Sequence, residues 1–118
     1  MNAEQFIDVI KEVVSEGSVK GVQSILVKPP GRKPSENLVA ISEWYNNLND
    51  GSKSMVIRII RESVEMGIFS FLCVLDGVSA IENVPDKGVL KLIFDKNGHQ
   101  ILVNDPKQVF LHELFNVI

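Results

Sequence analysis

Apolar positions in the first half of the chain recur at three- and four-residue spacing, the period of helices buried along one side. Asn2 and Gln5 have the separation of a capping box, in which each side chain satisfies a free backbone N–H at a helix start. Behind them Phe6, Ile10, Val13 and Val14 share a helical face, Glu4, Asp8, Lys11 and Glu12 lie elsewhere, and Gly17 offers a stop. Val19, Val22, Ile25 and Leu26 predict a short second helix, weakened by Gly21. Pro29, Pro30 and Pro34 remove donors and fix φ, so an exposed loop is expected around them. Ser35 is placed to cap a third helix with the stripe Leu38, Ile41, Tyr45 and Leu48, flanked by Trp44. Asn49, Asp50 and Gly51 read as the turn that ends it. Ser52 is expected to cap a fourth helix facing inward with Val56, Ile57, Ile60 and Val64. Arg58 with Glu62, and Arg61 with Glu65, stand at ion-pair spacing along it.

The pattern then becomes ambiguous. Residues 68–75 are almost wholly apolar and fit either a continuation of the fourth helix or a buried strand between Gly67 and Gly77. Length, the glycine boundaries and the aromatic and β-branched content favour the strand. Further on, Asn97-Gly98 lies between two apolar runs, Val89 to Phe94 and Gln100 to Val103, which predicts a hairpin. An isolated hairpin is marginal in water, a further reason to expect a third strand. Asp105 as cap, Pro106 at the first helical position and Gln108 at capping-box spacing predict a closing helix. Its stripe is Leu111, Leu114, Phe115 and Ile118. The expected architecture is one α+β domain over residues 1–118, with N-terminal helices, an antiparallel β-meander of about three strands, and a C-terminal helix.

Composition narrows the function more than it identifies it. The 118 residues are 45% hydrophobic and 23% charged, ordinary values for a globular domain. Mean hydropathy of +0.13 is high for so small a chain, and implies apolar surface covered by a protein partner or a second copy. A net charge of −3 argues against nucleic acid, whose phosphates require concentrated Lys and Arg. One cysteine, Cys73, forms no internal disulfide. The longest apolar stretch, about ten residues, is well short of the ~20 that cross a bilayer. With an acidic N-terminus unlike a signal peptide, a cytoplasmic protein away from membranes is expected.

No phosphate loop, paired-histidine zinc helix, nucleophile elbow or calcium loop occurs, so no catalytic residue, metal or cofactor is expected. If the chain is an enzyme, its acid–base candidates are Asp76, Glu82 and His112, because a carboxylate ending a buried segment can be tuned for proton transfer. The plainer role for Asp76, beside Gly77, is a turn. Nothing in their separation predicts that the three converge. Trp44, on the flank of its stripe, has the chemistry of an interaction hot spot. Arg32 and Lys33, with Lys28, form the one local cluster of positive charge, and join Trp44 as partner-binding candidates.

Phe71-Leu72-Cys73-Val74-Leu75-Asp76-Gly77-Val78, Ala80-Ile81-Glu82, Gly88-Val89-Leu90-Lys91-Leu92, Asn104-Asp105-Pro106 and Leu111-His112-Glu113-Leu114-Phe115-Asn116 resemble a group of small bacterial proteins without an established activity. The likeness covers about the last half of the chain and implies a shared fold. Small acidic bacterial domains of this size include immunity proteins, and the resemblance implies no more than that analogy. The expectation is a non-catalytic interaction domain, immunity- or regulator-like.

Overall fold

The Asn2 carbonyl side chain accepts from Gln5 N–H at 2.9 Å, and Gln5 Oε1 accepts from Asn2 N–H at 2.9 Å, in the computed structural model, which describes residues 1–116. The capping box therefore starts α1 (Ala3–Val9) as its spacing predicts. Gly17 does not stop it. Its φ of −60° and ψ of −41° are helical, and α1 runs through a π-helical segment (Ile10–Glu16) into α2 (Gly17–Val27). No competing C-cap bond ends the helix there, and packing beyond Gly17 outweighs the glycine's modest helix cost.

The π segment explains which side chains face inward. Ala3 and Ile7 of α1 and Ile10 at the start of the π segment face the core, and a regular helix would carry that face through Val14, Ser18 and Ile25. The buried positions are instead Ser15, Val19 and Leu26, one residue later. A π-helix accommodates one extra residue by widening the turn. Here the widened turns bring Ser15 inside and leave Val13 and Val14, which the apolar pattern had placed inside, exposed. β-branched Val13 and Val14, with Ser15 and Gly17, make this the part of the helix easiest to distort.

Ser35 caps α3 (Glu36–Asn46), its hydroxyl accepting from Leu38 N–H. Asn49, not Ser52, caps α4 (Asp50–Leu75): its side chain accepts from Ser52 N–H at 2.8 Å, so the expected turn is the first turn of the next helix. α4 continues through residues 68–75, and the strand expected there does not form. Within that run Leu72 is buried while Ser70 and Phe71 are exposed, a helical periodicity invisible in an all-apolar string. Extending a helix already nucleated at Asn49 satisfies each new backbone group internally, whereas a strand would need a partner edge. Gly77 ends α4 at φ +77°, with Val78 N–H on Cys73 O and Gly77 N–H on Val74 O, the paired bonds of a Schellman cap.

The sheet has two strands, not three. β1 (Ile93–Lys96) and β2 (His99–Leu102) pair antiparallel, with Ile93 opposite Leu102 and Lys96 opposite His99. Asn97 and Gly98, at φ +54° and +84°, make the expected tight turn. The closing helix is shorter than predicted. Asp105 forms a turn, accepting from Lys107 N–H, and α5 begins later, at Leu111–Phe115. Ile118, expected on its stripe, lies outside the described residues.

Ile7, Leu72, Val103, Leu111 and Phe115 form the main core, where α1, the end of α4, the hairpin and α5 meet. A second contact lies at the far end of the long helices, where α3 packs on α2 and Tyr45 and Leu26 are buried. Ser42 Oγ donates to Leu26 O at 2.7 Å and Asn46 Nδ2 to Val27 O at 3.1 Å, satisfying terminal carbonyls of α2. Between the two ends Arg61 reaches Glu16 across the helix pair, instead of Glu65 one turn away. The guanidinium holds the Glu16 carboxyl below its ordinary range. Extents of 50 × 37 × 29 Å and a radius of gyration of 18.3 Å describe an elongated molecule; a compact chain of this length has about 13.5 Å.

If the π segment is a one-residue insertion, deleting Val13 restores a regular helix with both inward faces in register. The deletion is expected to change unfolding free energy by less than about 1 kcal/mol, whereas deleting exposed Lys20, which rotates Leu26 out of its site, costs about 3 kcal/mol. Urea unfolding followed by circular dichroism compares the two.

Candidate functional site

Asp76 and His112, 36 positions apart, are brought together. The Schellman cap turns the chain at the end of α4 and leaves the Asp76 side chain 1% exposed, pointing at the start of α5. Its carboxylate accepts from Leu111 N–H at 3.0 Å, from His112 N–H at 2.8 Å and from His112 Nδ1 at 2.7 Å. An ionised carboxylate only accepts, so Nδ1 carries the proton. The ring lies against Phe110, stacked at 5.5 Å, and against the edge of Phe69 at 5.6 Å. Asp76 thus caps α5 from a distance, which no local pattern announces, and Phe110 occupies the N-cap position without a side-chain acceptor of its own.

A carboxylate orienting an imidazole is two-thirds of the arrangement used to activate a nucleophile. The third part is missing among the described residues: no hydroxyl or thiol is hydrogen-bonded to the imidazole. Glu82 does not join the pair. It lines the same hollow of about 380 Å³ as Asp76, but its carboxylate accepts from Gly88 N–H at 2.7 Å and ties the exposed loop of residues 77–91 to itself. Asn104, which the sequence did not single out, closes the other side. Buried, it donates to Leu75 O at 2.7 Å and Leu90 O at 2.9 Å and accepts from Leu92 N–H at 2.8 Å. These bonds tie the end of α4 to the hairpin and leave the hollow framed by structural polar groups. Burial pushes the Cys73 thiol up, with the Asp76 carboxylate adding to the shift, so little thiolate forms near neutrality. Among the described residues no group of three His, Cys, Asp or Glu side chains could hold a metal ion.

The partner-binding candidates sit at the other end. Arg32 and Lys33 are exposed in the loop between α2 and α3, and Trp44 is 57% exposed on α3, beside exposed Ile41 one turn back. Tyr45 is core, under Lys53, whose ammonium stands 5.7 Å from the ring centre.

The feature the sequence reading missed is a second apolar face on α4. The inner face runs through Val64, Ile68, Leu72 and Leu75. At about 100° per residue, the sector of roughly 160° centred well away from it contains Met55, Ile59, Ser63, Met66, Gly67 and Phe71, and its one charged residue, Lys53, stands in the first turn, ahead of Met55. Arg58, Arg61, Glu62 and Glu65 are confined to a different strip. Met55, Ile59, Met66 and Phe71 are each half or more exposed. A groove of about 500 Å³ borders this sector, with Phe6, Ile10 and Val14 as the opposite wall. A helix apolar on nearly all sides is normally buried on all of them. The signal lies in Met55, Ile59 and Met66, apolar positions outside the expected stripe of Val56, Ile57, Ile60 and Val64, with Phe71 hidden in the apolar run after them.

No protein-family model, no curated protein and no solved structure matches the chain. The expected family resemblance gains no support from these comparisons. Among the described residues no helix is long and apolar enough to cross a membrane.

Replacing Asp76 by Ala strands two backbone N–H groups and an imidazole proton, and is expected to lower unfolding free energy by about 3 kcal/mol, with loss of protection at Leu111 and His112 first in hydrogen exchange. Cys73, for its part, is expected to react with a thiol reagent at neutral pH at least about tenfold more slowly in the folded chain than in urea, a difference an absorbance assay resolves.

Proposed function

We propose that the chain is a non-catalytic protein-interaction module whose principal contact is the outer face of α4 from Met55 onward, which carries no charge. One observation carries this reading: Met55, Ile59, Met66 and Phe71 leave one side of α4 apolar and half or more exposed. The chain exposes 8568 Å², against about 6,400 Å² for a compact monomer of its 13.1 kDa mass, an excess of about 2,200 Å². Large stable interfaces bury about 1,000–2,500 Å² on each partner, so the excess, part of which is the exposed loop of residues 77–91, leaves room for one. The absence of charge from the face matters equally, since an interface core that buries unpaired charge loses affinity.

Trp44, with Ile41 beside it, and the cations Arg32 and Lys33 supply a subsidiary contact at the α2–α3 end, suited to an acidic edge on the partner. An immunity- or regulator-like role fits a module of this kind, cytoplasmic and acidic. The Asp76–His112 pair serves in this reading as the clamp that holds α5 and so the shape of the module.

Native mass spectrometry of the chain captured from its own host tests the proposal. A stoichiometric protein partner, a second copy or another chain, is expected. Ile59→Lys, at a side chain 59% exposed and outside the core, is expected to weaken that complex by about 100-fold. Recovery of the chain alone, or a complex indifferent to Ile59→Lys, overturns it.

A further inference from the structure

We infer that the occupant of the α4 face is a second copy of this chain, docked with the two α4 helices antiparallel about a two-fold axis at Gly67. The inference rests on the interaction reading and adds the partner's identity and register. Its motivation is that the face carries both halves of a self-complementary contact on one helical line. Phe71 projects from α4, 60% exposed, and Gly67 and Ser63, one and two turns before it, are exposed and nearly without side chain. Nothing lies within 4 Å of where a Cβ at Gly67 would stand, so the hollow beside it is open. Under a two-fold axis through Gly67, each Phe71 fills the space over the other copy's Ser63.

The rest of the line agrees with this register. Antiparallel pairing about Gly67 places Ile60 opposite Val74, so that apolar meets apolar on both sides of the crossing, and leaves Lys53 beyond the end of the partner's helix. The charged strip of Arg58, Glu62 and Glu65 stays at the edge, in water. Small residues at the crossing let helix axes approach to the short end of the usual 8–10 Å range. The partner helix then lies against the groove walled by Phe6, Ile10 and Val14, and the paired helices of two copies make a four-helix arrangement. The excess exposure of about 2,200 Å² per chain, which includes the loop of residues 77–91, is large enough to hold one subunit's share of a stable homodimer interface. An unrelated partner would have to supply a knob and a hollow at the same spacing; a second copy has them already.

Sedimentation equilibrium of the purified full chain at micromolar concentration is expected to give twice the 13.1 kDa monomer mass. Ser63→Arg is expected to raise the dimer Kd by at least about 100-fold with helicity unchanged, because Ser63 is exposed and bonds only to Ile59 O of its own helix. In a Cys73→Ser background, Ser63→Cys with Phe71→Cys is expected to oxidise to a covalent dimer. The two cysteines of one helix are about 12 Å apart and cannot bridge to each other. A dimer that neither responds to Ser63→Arg nor cross-links through these positions overturns the inference. So does a monomer. A monomer that captures another protein through Ile59 leaves the interaction module standing and removes only the second copy, whereas a monomer with no partner at all removes both.

Discussion

A carboxylate taken out of water requires donors, and Asp76 has three, all from one short stretch of chain. Two of them are the first free N–H groups of α5, which at five residues has little helical stability of its own. The third, His112 Nδ1, holds the ring between Phe69 and Phe110, closing the polar contact beneath aromatic cover. Leu111 and Phe115 reach the main core because this clamp fixes the helix that carries them. Asn104 does the same for the hairpin, binding its base to the last carbonyl of α4. The end of α4 is therefore the anchor for everything after it.

The same helix explains why the molecule is so open. α4 is long enough to serve the core at one end and the α2–α3 contact near the other, but one side of it is sufficient for both. On its other side Met55, Ile59, Met66 and Phe71 face solvent. Burial of apolar surface is worth about 25 cal/mol per Å², so a face of this size is a large unspent driving force for association. The π segment in the facing helix contributes, because its extra residue turns Val13 and Val14 outward along the same flank as the groove.

Local chemistry in the chain was sufficient wherever the interaction is short-range. The capping box at Asn2, the Ser35 cap, the loop through the prolines, the Asn97-Gly98 turn and the core position of Tyr45 all follow from neighbours within four residues. Asp76 beside Gly77 was legible as a turn, though its side chain bonds to N–H groups far along the chain rather than nearby. Trp44, Arg32 and Lys33 were legible as exposed.

What tertiary structure alone decided has a common cause. Residues 68–75 carry only Ser70 to mark which side faces water, and their composition favoured a strand; a helix nucleated upstream and the core around Leu72 made the choice. The one-residue slip in the first helix depends on where α4 and α5 lie against it. The meeting of Asp76 with His112, and the failure of Glu82 to join them, depend on a loop path that no periodicity encodes. Hydrogen bonds between neighbours are written in the sequence, but the pairing of distant groups is settled only when the whole chain has found which apolar surfaces it can bury and which it must leave exposed.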